Sequence, residues 1–127
     1  MKRIIATTAV TAIAVPTALL AAAPAQADGF DREKQGRCGG GVYELSVDRE
    51  DGVYEISADL DRVAPGSSWR VVLKQDGKVI ANVVRKADRE GDLDVDRVRR
   101  DTRGTDTFAF TANRLNGAAK CGASVVA

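Results

Sequence analysis

The sequence predicts an all-β domain: an antiparallel β-sandwich of about seven short strands behind an N-terminal signal peptide. Three observations carry this prediction. Apolar and polar residues alternate with period two in several segments, most clearly over 43–47 and 108–112. The turn dipeptides Asp51-Gly52, Asp76-Gly77 and Asn116-Gly117 separate segments of this kind. No stretch beyond the signal region carries apolar residues at helical spacing over a useful length.

The N-terminal segment reads as a targeting signal. Lys2 and Arg3 supply a basic start, residues 4–23 carry no charge, and Ala25-Gln26-Ala27 fits a small-x-small cleavage site. Cleavage is expected before Asp28, so residues 1–27 form the signal peptide. Pro16 interrupts the apolar run, which argues against a membrane anchor, and no cysteine follows it to take a lipid. Stable membrane insertion after cleavage is not expected. The exported chain then has 127 less 27, or 100, residues, enough for one domain. Of 19 basic residues, Lys2 and Arg3 leave with the signal, so 17 face 18 acidic ones and the net charge becomes −1. So even a balance makes no global field for nucleic acid, and nucleic acid is not an expected partner.

Residues 28–41 are polar, charged and glycine-rich, and are expected as a flexible leader, with 42–127 as the β-sandwich domain. In 42–48, Tyr43, Leu45 and Val47 share a face. A turn at Asp51-Gly52 would pair Val47 with Ile56, Leu45 with Ala58 and Tyr43 with Leu60. Pro65-Gly66 marks the next turn. The central hairpin spans 69–84 and holds the only tryptophan. A two-residue Asp76-Gly77 turn would face Asn82 toward Val71 in the core, at a cost of about 1–3 kcal/mol. A three-residue Gln75-Asp76-Gly77 loop is therefore expected, with pairs Leu73/Val79, Val71/Ala81 and Trp69/Val83. Val72, Ile80 and Val84 then form a small apolar patch on the outer face, a candidate partner surface. Residues 92–96 alternate as a short acidic edge strand, and 97–104 as a charged loop. The Asn116-Gly117 turn pairs Ala112 with Cys121, Phe110 with Ala123 and Phe108 with Val125.

Cys38 and Cys121 have one possible pairing and, in an exported chain, read as a disulfide. Neither Cys-x-x-Cys spacing nor a local basic cluster suggests a redox-active pair. Strand count and turn spacing indicate a sandwich of immunoglobulin or fibronectin-III type, with Trp69 on the third strand as its core tryptophan. A bridge from before the first strand to the last differs from the immunoglobulin pattern.

The chain has no histidine, which deprives a serine or cysteine nucleophile of its usual base and zinc of its usual nitrogen ligand. Ser67-Ser68 lacks a nucleophile-elbow glycine pattern and reads as a turn. Asp88, Glu90, Asp92, Asp94 and Asp96 offer hard oxygens to calcium, although an extended strand splays them and the glycine and closing glutamate of a calcium loop are missing. Nothing supplies the apolar pocket that a glycosidase acid/base pair needs. The arginines at 97, 99, 100 and 103 are interleaved with Asp96 and Asp101 and lack stacking aromatics, so they read as a solvated loop rather than a polyanion site. Trp69 and Tyr43 fall on the core face and not on a sugar platform.

Cys38, Asp51-Gly52, Trp69-Arg70-Val71-Val72-Leu73 with Asp76-Gly77, Gly91-Asp92-Leu93-Asp94-Val95, Gly104-Thr105-Asp106 and Cys121 together resemble small secreted actinobacterial β-proteins of unknown function. The resemblance spans most of the exported chain and implies export and a one-disulfide β-domain, without an activity. Secreted inhibitors of the subtilisin-inhibitor type are similar in length and export, but their second disulfide and cysteine-flanked reactive loop are absent here. The expected function is a secreted, non-enzymatic β-sandwich without cofactor or catalytic residues, acting by protein or cell-envelope contacts. A calcium-binding or protease-inhibitor-like extracellular module is the alternative.

Overall fold

Alternation of apolar and polar residues, punctuated by turns, builds seven of eight strands, and a polar edge strand precedes them. The eight are β1 (Phe30–Cys38), β2 (Gly41–Glu50), β3 (Val53–Asp61), β4 (Ser68–Gln75), β5 (Lys78–Lys86), β6 (Leu93–Arg100), β7 (Thr107–Arg114) and β8 (Lys120–Val126). The computed structural model describes residues 30–127, so the expected signal peptide, 1–27, lies outside the described residues. Two four-stranded antiparallel sheets form, in the orders β1-β2-β3-β6 and β5-β4-β7-β8. We refer to them as the first and second sheet. No described helix is long and apolar enough to cross a membrane.

Two hairpins follow the expected register. Val47 pairs with Ile56, Leu45 with Ala58 and Tyr43 with Leu60 across β2 and β3. Ala112 pairs with Cys121, Phe110 with Ala123 and Phe108 with Val125 across β7 and β8. In each, the adopted register turns the alternating apolar side chains to the face that packs on the other sheet, and a one-residue slip would turn them outward.

The central hairpin differs from expectation. Its loop is the two-residue Asp76-Gly77 turn, with Gln75 opposite Lys78 and φ values of 50° and 83°, the left-handed pair that matches strand twist. The register then shifts between Leu73 and Lys74, so that Leu73 faces Ala81, Val72 faces Asn82 and Val71 faces Val83. Ile80 is the extra residue of this bulge. The expected penalty for burying Asn82 is thus avoided within the strand rather than in the loop. Asn82 points outward and accepts a hydrogen bond from Arg70 Nη1 at 2.8 Å.

Three further corrections concern extent. Residues 30–38, within the expected leader, form β1, paired with β2 along its whole length. Gly39 and Gly40 make the connecting turn with φ of 50° and 85°, so the glycine run is a hairpin signal. This raises the strand count to eight, and Trp69 lies on the fourth strand, not the third. Finally, β6 runs on to Arg100 through residues expected to be loop.

The core lies between the sheets. Leu45, Val47, Ile56, Leu60 and Val95 from the first sheet meet Trp69, Val71, Leu73, Phe108 and Phe110 from the second, all fully buried or nearly so. Tyr54 packs edge-on against Phe108, with ring centroids 4.9 Å apart. Trp69 is 0% exposed, and its indole nitrogen donates to Ser67 Oγ at 2.9 Å. Ser67 in turn donates to the Ala64 carbonyl at 2.5 Å. This is a structural role for the turn serine, since a buried indole N–H needs a partner.

Two devices tie the sheets together at their ends. The Cys38–Cys121 disulfide joins edge strands β1 and β8 across the sheets, with Cα atoms 5.2 Å apart and a sequence separation of 83. At another place, Asp106 is fully buried and accepts hydrogen bonds from the Thr102 hydroxyl and from Gln75 Nε2. Its backbone exchanges two hydrogen bonds with Ala127. Burial alone would raise its carboxyl, but hydrogen bonds led by that of Thr102 outweigh it and hold the group below the usual range. Burial, and then the nearby Asp101 and Asp106, push the Tyr54 hydroxyl up to about 12.

Candidate functional site

Strand registers assign every side chain of the sandwich to its inside or its outside. The two outer faces differ sharply in charge. On the first sheet, β1 presents Glu33, β2 presents Glu44, Asp48 and Glu50, β3 presents Glu55, Asp59 and Asp61, and β6 presents Asp94 and Asp96. Against these nine carboxylates stand Arg37 and Arg100. On the second sheet no strand contains an aspartate or glutamate. Its outer face carries exposed Arg70, Lys74, Lys86 and Lys120 between Val72, Val84, Asn82, Thr111 and Asn113.

The acidic face is most crowded where Glu44, Asp59 and Asp94 follow one another across β2, β3 and β6. Carboxylate oxygens of Asp59, Asp94 and Asp96 come within 4.8 Å of one another. Ser57 donates to Asp96 and, at 3.4 Å, to Asp59. Partial burial, followed by the charges of Asp96 and Asp94, pushes the Asp59 carboxyl up to about 6. Asp94 is raised chiefly by its contact with Asp96, and Glu44 chiefly by burial and by Glu33. Like charges pressed together disfavour ionisation.

The five carboxylates that looked like one series in the sequence therefore separate. Asp94 and Asp96 stand on the outer sheet face, joined by Asp59 of β3, whose proximity only strand pairing creates. Asp88, Glu90 and Asp92 stay together in the β5–β6 turn, with oxygens within 4.8 Å. Asp88 Oδ1 accepts the backbone N–H groups of Glu90 at 2.8 Å and Asp92 at 3.0 Å. Those bonds, Asp92 first, hold its carboxyl below the usual range. Asp88 thus shapes the turn.

The expected apolar patch is placed in part. Val72 is half-buried and Val84 is 42% exposed, both on the outer face of the second sheet. Ile80, at the bulge, instead packs against the core. Val79 emerges opposite Lys74 and is 56% exposed, so the exposed valines of this face are Val79, Val84 and, opposite Thr107 on β8, Val126, with Val72 half-buried among them. The arginines after Asp96 also divide. Arg99 Nε donates to Gln75 Oε1 at 3.1 Å, while Arg100 stays on the outer face of the first sheet.

No family model, curated protein or solved structure matches this chain.

Proposed function

We propose that the chain is a secreted, non-enzymatic binding module that acts through the basic outer face of its second sheet on an anionic protein or cell-envelope component. The observation that carries this reading is the carboxylate-free outer face of the second sheet, where four exposed cations surround exposed valines. Mixed basic and apolar character on a flat, rigid sheet suits an acidic macromolecular partner better than a small molecule. The lack of histidine supports a role without acid–base or nucleophilic chemistry. The disulfide suits an oxidising compartment outside the cytoplasm. Those features also suit kinship with the small secreted actinobacterial β-proteins that the sequence resembles.

Strand order supports a sandwich of fibronectin-III or immunoglobulin type. With β1 set aside, β2, β3 and β6 take the places of strands A, B and E, and β5, β4, β7 and β8 those of C′, C, F and G. Trp69 then sits on the C-equivalent strand, and the bridge lies outside the B–F pair.

The test is retention of the exported chain on isolated anionic cell-wall material and on immobilised acidic protein. Wild type should be retained at low salt and released by high salt, and Lys74→Glu with Lys86→Glu should abolish retention. Retention unchanged by this double reversal would refute the reading.

A second reading rests on the convergence of Asp59, Asp94 and Asp96, which would take a hard divalent cation such as calcium. Millimolar calcium should then raise the melting midpoint of wild type and leave that of Asp94→Asn unchanged. An unchanged wild-type midpoint would exclude it.

A further inference from the structure

We infer that the chain associates with copies of itself, the basic outer face of one copy seated on the acidic outer face of the next. The inference rests on the reading of the basic sheet face as a binding surface and names a second copy as an occupant. Its basis is complementarity within one molecule: two faces with the same number of strands and opposite charge lie back to back. One bears nine carboxylates against two arginines, and the other bears no carboxylate among its strands. The near-zero net charge removes the global repulsion that would keep copies apart. The crowded carboxylates around Asp59 repel one another in the isolated chain, and a facing set of lysines and arginines relieves that repulsion.

The geometry sets the kind of assembly. Because the two faces are different surfaces, contact is heterologous. It generates a ring where the rotation closes and an open chain where it does not. Four strands at about 4.8 Å spacing and eight residues at about 3.3 Å rise give a face of roughly 500 Å². That is less than the ~800 Å² per partner of a standard stable interface. Association is therefore weak and driven by charge, and salt should weaken it strongly.

Sedimentation equilibrium on the exported, disulfide-bonded chain tests this. At about 20 mM salt the weight-average mass should climb with concentration, and at about 0.5 M salt it should fall to that of the monomer. Two variants probe the faces separately: Arg70→Glu with Lys74→Glu on the basic side, and Glu55→Lys with Asp94→Lys on the acidic side. All four residues are exposed, and Trp69 fluorescence reports that each variant is folded. Each variant alone should associate at least about tenfold more weakly than wild type. An equimolar mixture of the two should recover association between unlike variants, because one keeps the unaltered acidic face and the other the unaltered basic face, and these together make one wild-type contact. Three results would overturn the inference: a monomeric wild type at low salt, association indifferent to both reversals, or folded variants whose mixture stays monomeric. A monomeric wild type that still binds anionic envelope material in a Lys74-dependent way would remove self-association and leave the binding-module reading standing.

Discussion

The two sheets are alike on the inside and opposite on the outside. Both inner surfaces are apolar, built from Leu45, Val47, Ile56 and Leu60 in one and Trp69, Val71, Leu73, Phe108 and Phe110 in the other. Their outer surfaces divide the charge between them, with carboxylates on the first sheet and cations without carboxylates on the second. Inner surfaces must resemble one another because both answer to the same demand, removal of apolar area from water. Outer surfaces face no such demand. Mere solubility would be served by mixing charges on each face, so a molecule that sorts them has its faces available for recognition.

Experiments can press on this contrast from the inside outward, with effects that diminish along the way. Removing the bridge through Cys38→Ala with Cys121→Ala releases an 83-residue separation, and should cost about 4.5 kcal/mol by loop entropy in a denaturant titration. Trp69→Ala leaves a large hole between the sheets and orphans the Ser67 hydroxyl arrangement; chemical denaturation should register a loss of about 4 kcal/mol. Nearly unchanged stability of the cysteine variant would mean that the apolar interior holds the sheets without the bridge, and of Trp69→Ala that the inner surfaces do not hold them together.

Asp106→Asn keeps the shape of the buried group but loses its charge-assisted bonds, and should cost about 2 kcal/mol. The sign with pH follows from its lowered carboxyl. The stability it contributes is present above the ordinary carboxylate range and fades as pH falls through the folded value. An Asp106→Asn variant that retains the wild-type loss of stability in acid would remove Asp106 as its source.

The smallest effect belongs to the outer face, and its sign is the reverse. Asp59 titrates at about 6 in the folded chain, above the ordinary value near 4. The folded state therefore holds the proton more tightly, and the associated stability is lost as pH rises from about 4 to about 6. Asp59→Asn should flatten that part of the pH profile and stabilise the chain at neutral pH by less than about 1 kcal/mol, because solvent screens a half-exposed group. Melting midpoints at pH 4 and pH 7 for both chains check it, and an unaltered slope would show that the acidic face carries no strain.

Much of the inner half was legible in the residues. The pairs Val47/Ile56 and Phe108/Val125 were accessible because one turn dipeptide and one apolar pattern admit a single register. The bulge at Ile80 was not, since it depends on whether the chain relieves Asn82 in the loop or within the strand, and both solve the same problem. β1 was hidden because an edge strand is polar on both sides and shows no alternation. Gly39-Gly40 was its signal in the sequence; the need for glycine at 36, where any Cβ would fall 2.6 Å from the Tyr43 ring, appears only once β1 pairs with β2.

The candidate site was far less legible. Absence of acidic residues in the segments that became β4, β5, β7 and β8 can be seen in the sequence, yet it acquires meaning only when those strands prove to share one sheet. Asp59 lies 35 residues from Asp94, and no spacing rule connects them. By itself, then, the sequence determined the all-β class, the two tight hairpins, the cysteine pair and the burial of Trp69, because each follows from local alternation, turn chemistry or the lack of any other partner. Tertiary structure alone decided the partition of charge between the faces, the gathering of Asp59 with Asp94 and Asp96, and the exchange of Ile80 for Val79 at the surface. These depend on which strands become neighbours, and that choice is made by burying apolar area over the whole chain, not by any one segment.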